Sequence, residues 1–343
     1  MSLDATAALP DDDAPTAPPP DTATLRAVAA AVREGLFRPR KRLPAWLLYD
    51  RRGSELFEQI TELPDYYLTR TERAILAAHA AEIIEAAGPP LGVVELGAGT
   101  ASKTGLLLTA LLARQARASY RPVDVSPAAL ARAAAELSRL KRLAVEPVVA
   151  RYPDELGFLA HPAGRRLVLF LGSNIGNFDP DAARSLLGAV RCRLAPGDAL
   201  LIGADLRKPP AQLLPAYDDP QGITARFSKN VLERLNRELK ASFDLARFRH
   251  LVRWNPSASR IDIYLESQKP QRVRLEALDA ELRLRAGERI HIESSYKLSA
   301  PRLAQLFAGA GLRLERSWYD RARRFGVHLL RVPPPRSRRP GLH

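Results

Sequence analysis

Glu95, Gly97, Gly99, Lys103 and Asp124 are the residues of this chain whose types and spacing most clearly suggest chemistry. Residues 93–103 read VVELGAGTASK. A mostly apolar run over 91–96 ends at Gly97, and a helix-compatible segment follows. That order is a strand, a tight glycine turn and a helix N-terminus. Glycine suits such a turn because the backbone takes positive φ while a ligand lies against it, and the helix start offers unpaired N–H groups to a polar ligand. Further on, SYRPVDVS reads as a second strand ending in Asp124, a carboxylate placed to accept hydrogen bonds from a ribose diol. Together these residues predict a site for a nucleoside-containing cofactor.

Read as G-x-G-x-x-G from Gly97, the motif has Ser102 at its third position, which disfavours NAD or FAD. Glu95 before the first glycine, with the spacing to Asp124, is more typical of S-adenosylmethionine (SAM) methyltransferases. A dinucleotide enzyme and a purely structural turn stay open on this stretch alone. A second polar turn, LFLGSNIGNFDP, follows a later apolar run and places Ser173, Asn174 and Asn177 at a strand end. Ligands of doubly wound sheets bind there, although a Gly- and Asn-rich turn is also common as plain structure.

Elements that can carry these residues follow from periodicity. Helices are expected at 22–36, over 44–62 with an interruption at Gly53, and from a capping box at Thr69–Glu72 to about 87. Strands at 91–96, 119–124, 145–150, 166–171 and 198–205 alternate with helices near 102–116, 127–140 and 180–194. This pattern predicts a doubly wound, Rossmann-like α/β sheet. Residues 206–297 change character: a helix over 220–242, then alternating segments at 260–267, 272–278 and 289–299 that read as antiparallel strands of an inserted α+β unit. A helix at 300–310 and two terminal strands return to the first sheet. The resulting division is a cofactor domain of 71–207 plus 298–333 and a substrate domain of 21–70 plus 208–297. Tails at 1–20 and 334–343, rich in Pro with Asp or Arg, are expected to be disordered.

Composition narrows the setting. The 343 residues are 46% hydrophobic, enough to bury a large core. Cys192 is the single cysteine, which excludes a disulfide framework and points to a reducing compartment. No apolar run reaches membrane-span length, and the Asp- and Pro-rich start does not read as a secretory signal. The cytoplasm is the expected location. A net charge of +14 raises the question of RNA, but the arginines are dispersed, their clusters lack interleaved aromatics, and the fourth strand lacks the proline-aromatic signature of base methylation. A monomer acting on small molecules, without nucleic-acid or membrane partners, is expected. The histidines never fall at i, i+4 or beside cysteine, so no metal is expected.

Five blocks, LYDRRGSELFEQITELPDYYLTRTE (48–72), VELGAGTASKT (94–104), FLGSNIGN (170–177), AYDDPQGITARFSKNVLERLNREL (216–239) and IHIESSYK (290–297), carry a more specific signal. In this order the chain resembles the histidine-specific SAM-dependent N-α-methyltransferases, which trimethylate histidine on the path to ergothioneine. The resemblance implies a class I methyltransferase fold and SAM as methyl donor. For the cofactor it implies Gly97 at the turn, Lys103 at the helix start facing the methionine carboxylate, Asp124 at the ribose, and Arg151-Tyr152 at the adenine. The family usually has an acidic residue at position 151, and arginine cannot accept a hydrogen bond from the adenine amino group.

For L-histidine the resemblance implies Tyr66, Asn177, Tyr217, Glu293, Ser294 and Ser295. Asn177 and Tyr217 suit the α-amino acid head, while Glu293, Ser295 and Tyr66 suit an imidazole, which presents one donor and one acceptor when neutral. Ile263 replaces the methionine more frequent in the family. Asn177 with Tyr49 or Tyr66 is expected to orient the attacking amine. A same-fold enzyme for another amino acid or amine, such as a tryptophan derivative, is the nearest alternative. An RNA-binding or RNA-modifying protein, or a non-catalytic SAM-binding relic, are more distant ones.

Overall fold

The computed structural model describes residues 22–152, 155–159 and 164–333. The expectations for residues 1–20 and 334–343 lie outside these. The chain opens with α1 (Thr22–Leu36), α2 (Arg51–Glu62) and α3 (Tyr67–Ala87). It then alternates through β1 (Leu91–Leu96), α4 (Thr104–Leu112), β2 (Ala118–Asp124), α5 (Pro127–Leu137) and two short strands, β3 (Leu143–Val145) and β4 (Val148–Val149). β5 (Arg165–Phe170), α6 (Pro180–Arg191) and β6 (Ala199–Asp205) complete the alternation.

Local chemistry explains many of the boundaries. Ser126 caps α5 by accepting from Ala129 N at 3.3 Å, with Pro127 in the first turn. Asp179 caps α6 through Ala182 N at 2.8 Å, with Pro180 in the same role. Proline at a helix start loses no hydrogen bond.

The main sheet runs β3-β2-β1-β5-β6, all parallel, with β4 also pairing with β2. The chain winds outward from β1 to β2 and then crosses back to β5 on the other side of β1. The carboxyl ends of β1 and β5 therefore flank the switch point, where such folds hold ligands. Two terminal strands, described below, extend the β6 edge antiparallel.

Between β6 and the last helix lie α7 (Pro210–Leu213), α8 (Ile223–Leu239), β7 (Phe248–Asn255), β8 (Arg260–Ser267), β9 (Gln271–Leu275), β10 (Ala280–Leu284) and β11 (Arg289–Tyr296). They form an antiparallel sheet in the order β11-β8-β7 and a β9-β10 hairpin. The chain then returns through α9 (Ala300–Gly309), β12 (Arg313–Tyr319) and β13 (Phe325–Arg331), with β13 antiparallel to β6.

The α/β class and strand alternation agree with the sequence reading, with four local differences. Helix α3 starts at Tyr67, ahead of the capping box, because the Glu72 side chain is wholly buried against tertiary partners instead of closing the helix end. The 44–62 region breaks at Tyr49-Asp50 rather than at Gly53. Gly53 sits in the first turn of α2, where a Cβ would lie 1.7 Å from the Leu48 carbonyl oxygen, while Asp50 caps the helix through Gly53 N at 2.7 Å. The expected strand at 145–150 is two shorter ones. β7 and β10 were not anticipated, since β7 is mixed in polarity and only becomes regular by pairing with β8.

Two buried carboxylates fasten the main sheet. Asp198 accepts from Arg166 Nε at 3.0 Å, from Arg166 N at 2.7 Å and from Ala195 N at 2.8 Å. Glu95 accepts from Thr104 Oγ1 at 2.7 Å and from the Tyr120 hydroxyl, tying β1 to α4 and β2. Burial pushes the Glu95 carboxyl up to about 7, against the pull of these donors.

Asp198→Ala strands a buried guanidinium and is expected to destabilise the protein by about 3–5 kcal/mol in urea unfolding. Glu95 binds its proton more tightly folded than unfolded. Its contribution is therefore complete below about pH 4.5 and lost as pH rises through about 7. The stability difference between wild type and Glu95→Gln, measured without cofactor, should shift against wild type by on the order of 3 kcal/mol across that window. A flat difference would show that Glu95 stays ionised.

Candidate active site

A cavity of about 1520 Å³ opens at the switch point, larger than the roughly 300–1,000 Å³ typical of a site for one small ligand. One wall is the carboxyl ends of β1, β2 and β5. The other comprises α2, β11 and the 34–46 segment, which joins β11 through Leu43 N to His291 O at 2.8 Å. Gly97, Lys103, Asp124, Arg151, Tyr152, Tyr49, Tyr66, Asn177, Glu293 and Ser294 all border it. Tyr217 and Ser295 border a small annex of about 40 Å³ that shares Tyr49, Tyr66, Asn177 and Glu293 with the main cavity.

At the glycine turn, Gly97 has φ +67° and its missing Cβ would fall 2.6 Å from the Tyr152 hydroxyl and 2.7 Å from Asn174 Nδ2. Beside Gly99, which shares the left-handed conformation, a Cβ would meet nothing within 4 Å. The turn is thus tight on its inner side and open toward the cavity. Asp124 Oδ2 accepts from Gly99 N at 2.9 Å and Oδ1 from Ser126 N at 2.9 Å, leaving lone pairs for a diol. Burial raises the Asp124 carboxyl above its usual range, opposed by those backbone donors. An open glycine cradle beside a half-satisfied carboxylate fits the ribose end of a nucleoside cofactor.

Lys103 is ion-paired to Glu72, whose carboxylate also accepts from Gly172 N at 2.9 Å. One ammonium donor is used there, and two remain for a ligand carboxylate. Tyr152 packs edge-on against Phe170 with ring centres 5.7 Å apart. Arg151 stacks over Trp46, its guanidinium 5.0 Å from the ring centre, so the position that departs from the family pattern is part of an aromatic-cation wall.

The opposite end of the cavity is aromatic and acidic. Tyr49 meets Phe57 and Phe227 edge-on at 5.6 and 5.5 Å, Tyr66 meets Phe57 at 6.1 Å, and Tyr66 meets Tyr217 at 6.4 Å. Burial, with Glu293 adding to it, holds the Tyr49 phenol well above its ordinary range. Burial, followed by Tyr217 and Glu293, does the same for Tyr66. Both stay protonated at physiological pH, available as neutral hydroxyls rather than as phenolate bases. Burial also pushes the Glu293 carboxyl up to about 7, while Lys297 draws it back.

Strand alternation along β11 sends Glu293 and Ser295 to the annex. Ser294 borders the cavity, but its hydroxyl donates to Asp262 Oδ1 at 2.8 Å and lies 2.9 Å from His291 Nε2. Its side chain is thereby committed within the β8-β11 sheet. The Tyr217 hydroxyl lies 2.9 Å from Ser295 Oγ, so the residue read as facing the amino acid head is joined to the imidazole end.

Several residues escaped the sequence reading. Glu72 passed as a helix cap, although a carboxylate flanked by Leu68, Ile75 and Leu76 on a buried helix face was a usable signal. Trp46 gave none. Lys297 stood inside a quoted block, two positions from Ser295, and so on the same inward face. Among the described residues, no group of three or more His, Cys, Asp and Glu is arranged to hold a metal ion, and no helix is long and apolar enough to cross a membrane.

A family model described as histidine-specific, SAM-dependent methyltransferase matches residues 28–332. The chain is 43% identical over 299 residues to the histidine N-alpha-methyltransferase of Mycolicibacterium smegmatis, covering 87% of this chain and 92% of that one. The protein of the same name from Mycobacterium tuberculosis is 42% identical, with the same coverage. Ergothioneine biosynthesis protein 1 of Neurospora crassa is 32% identical over 304 residues, covering 86% of this chain and 34% of that longer protein. With an open glycine turn at one end of the cavity and a match spanning nearly all of the described residues, the chain belongs to the family of histidine-specific, SAM-dependent methyltransferases.

Proposed function

We propose that this protein transfers methyl groups from SAM to the α-amino nitrogen of L-histidine, ending at trimethylhistidine. The observation that carries the reading is the continuity of one cavity from the Gly97 cradle to Glu293. A cofactor and an amino acid held at those two ends share a single cavity. In this reading residues 71–207 and 298–333 hold the cofactor, and 21–70 and 208–297 hold the substrate. Gly97, Lys103, Asp124 and Tyr152 face the cofactor. Arg151 contributes its stacked guanidinium plane rather than a hydrogen-bond acceptor.

Bound SAM supplies a methyl group on a sulfonium, already activated toward an amine nucleophile. The protein's own tasks are orientation and exclusion of water. Asn177 and the neutral hydroxyl of Tyr49 or Tyr66 are suited to orient the amine, whose lone pair must be free. A free α-amino group has a pKa near 8, so a modest downward shift on burial is enough. Because both phenols are held protonated, the departing proton goes to water.

The rings of Tyr49, Phe57, Tyr66 and Phe227 supply apolar faces that hold an ammonium as its N–H donors are replaced by methyls. Glu293 and Ser295 address the imidazole. The enzyme acts on small molecules as a monomer in the cytoplasm, a reducing location that its single cysteine, Cys192, supports.

Purified protein incubated with SAM and a panel of free amino acids should add one, two and three methylene mass units to histidine alone. Gain on tryptophan or another amine, with histidine untouched, would overturn the substrate assignment. Glu293→Ala leaves a buried imidazole nitrogen unpaired, a loss of about 1–3 kcal/mol. The expected result is a fall of about 10- to 100-fold in kcat/KM for histidine, with S-adenosylhomocysteine affinity in calorimetry unchanged.

A further inference from the structure

Lys297 is wholly buried and borders neither cavity, yet it lies directly behind the annex wall. Its ammonium has three N–H donors and three partners: Asp205 Oδ2 at 2.8 Å, the Tyr217 hydroxyl at 2.6 Å and Ser295 Oγ at 2.9 Å. An ammonium donates and never accepts. Each of the two hydroxyl oxygens therefore accepts one bond from Lys297.

The Tyr217 and Ser295 hydroxyls also contact each other at 2.9 Å, and that contact uses one of their two protons. The second proton has no acceptor among the described residues, and both side chains border the annex. Two arrangements satisfy the pair. If Tyr217 donates to Ser295, Ser295 offers its O–H to the annex and Tyr217 keeps a lone pair. If Ser295 donates to Tyr217, the offer is reversed.

We propose that Lys297 is a specificity-determining positioning residue: by donating to both hydroxyls it makes the Tyr217–Ser295 pair present one donor and one acceptor to the annex, whichever way the shared proton lies. This rests on the reading of the annex as the imidazole site. Each nitrogen of a neutral imidazole is a donor in one tautomer and an acceptor in the other. The two point in diverging directions, so hydroxyls this close together meet one nitrogen and leave the other to Glu293. The pair can match either tautomer by turning over one shared proton. A ring of similar size without the N–H and N atoms leaves the group that the pair offers to the annex unpaired, which is the energetic basis of its rejection. Asp205 balances the buried charge, so the device sits where β6 meets the end of β11.

Lys297→Met keeps much of the side-chain volume and removes all three donors. It should lower kcat/KM for histidine by about 10- to 100-fold, mainly through KM. The preference for histidine over β-(2-thienyl)alanine should shrink to a similar extent, while the Kd for S-adenosylhomocysteine stays unchanged. Because the donor–acceptor pair that Lys297 sets needs both hydroxyls and is already broken without Ser295, the same substitution in a Ser295→Ala background should cost less than about threefold.

Lys297→Gln, which keeps two donors, should fall between wild type and Lys297→Met. The proposal is overturned by an unchanged preference, or by a full loss repeated in the Ser295→Ala background. It is also overturned if both Lys297 variants lose S-adenosylhomocysteine binding, which would make the residue a support of the fold. A wild-type protein inactive on histidine would instead retire the imidazole reading, a result visible in the amino acid panel before any variant is made.

Discussion

A carboxylate at the end of β6, cut off from water, is the constraint around which the annex side of this protein is arranged. Asp205 must be compensated, because an unpaired buried charge costs several kcal/mol. Its oxygens take Lys297 at 2.8 Å, Lys208 at 2.5 Å and the Tyr67 hydroxyl at 2.7 Å. These partners come from three separate stretches: the segment after β11, the loop after β6 and the first residue of α3. Satisfying one charge thereby joins the inserted antiparallel sheet and the N-terminal helices to the parallel sheet. Backbone bonds from Leu298 N to Asp205 O and from Arg207 N to Leu298 O, at 3.2 and 3.1 Å, complete the seam.

The same economy recurs at the glycine-turn end. Glu95, Glu72 and Asp124 are carboxylates near the glycine turn, and each is met by donors from a different element. Glu95 holds α4 and β2, Glu72 holds Lys103 and the Gly172 amide, and Asp124 holds the turn itself at Gly99. A turn with two left-handed glycines has little intrinsic preference for one shape. The ring of acceptors around it supplies that preference and leaves the open side of Gly99 facing the cavity. Pre-organisation of this kind is what a methyl transfer needs, since the chemistry asks the protein mainly for alignment.

Much of this was readable along the chain. β1, α5, α6 and β8 carry their boundaries in their own residues: β1 as an apolar run, β8 as alternation, and the helices as caps at Ser126 and Asp179 with prolines at their starts. The family resemblance came from contiguous blocks, and the match over residues 28–332 bears it out. Less was readable where a side chain's partner is far away in sequence. Thr69–Glu72 has the spacing of a capping box, but Glu72 found Lys103 and the amide of Gly172 instead. Arg151 looked only like a lost acceptor, and its stacking on Trp46 appears only in three dimensions.

By itself, then, the sequence determined the alternating α/β class, the glycine turn, the position of Asp124 at the end of β2 and the family. These follow from periodicity, backbone preference and short motifs, all of which act over a few neighbouring residues. Tertiary structure alone decided which polar groups are shared and which are left for a ligand. It turned the Ser294 hydroxyl toward Asp262, joined Tyr217 to Ser295 and placed Lys297 behind both. The physical reason is desolvation. Once water is excluded, each buried donor and acceptor must be matched by whatever the fold brings within hydrogen-bonding distance, and that list cannot be written until distant segments meet.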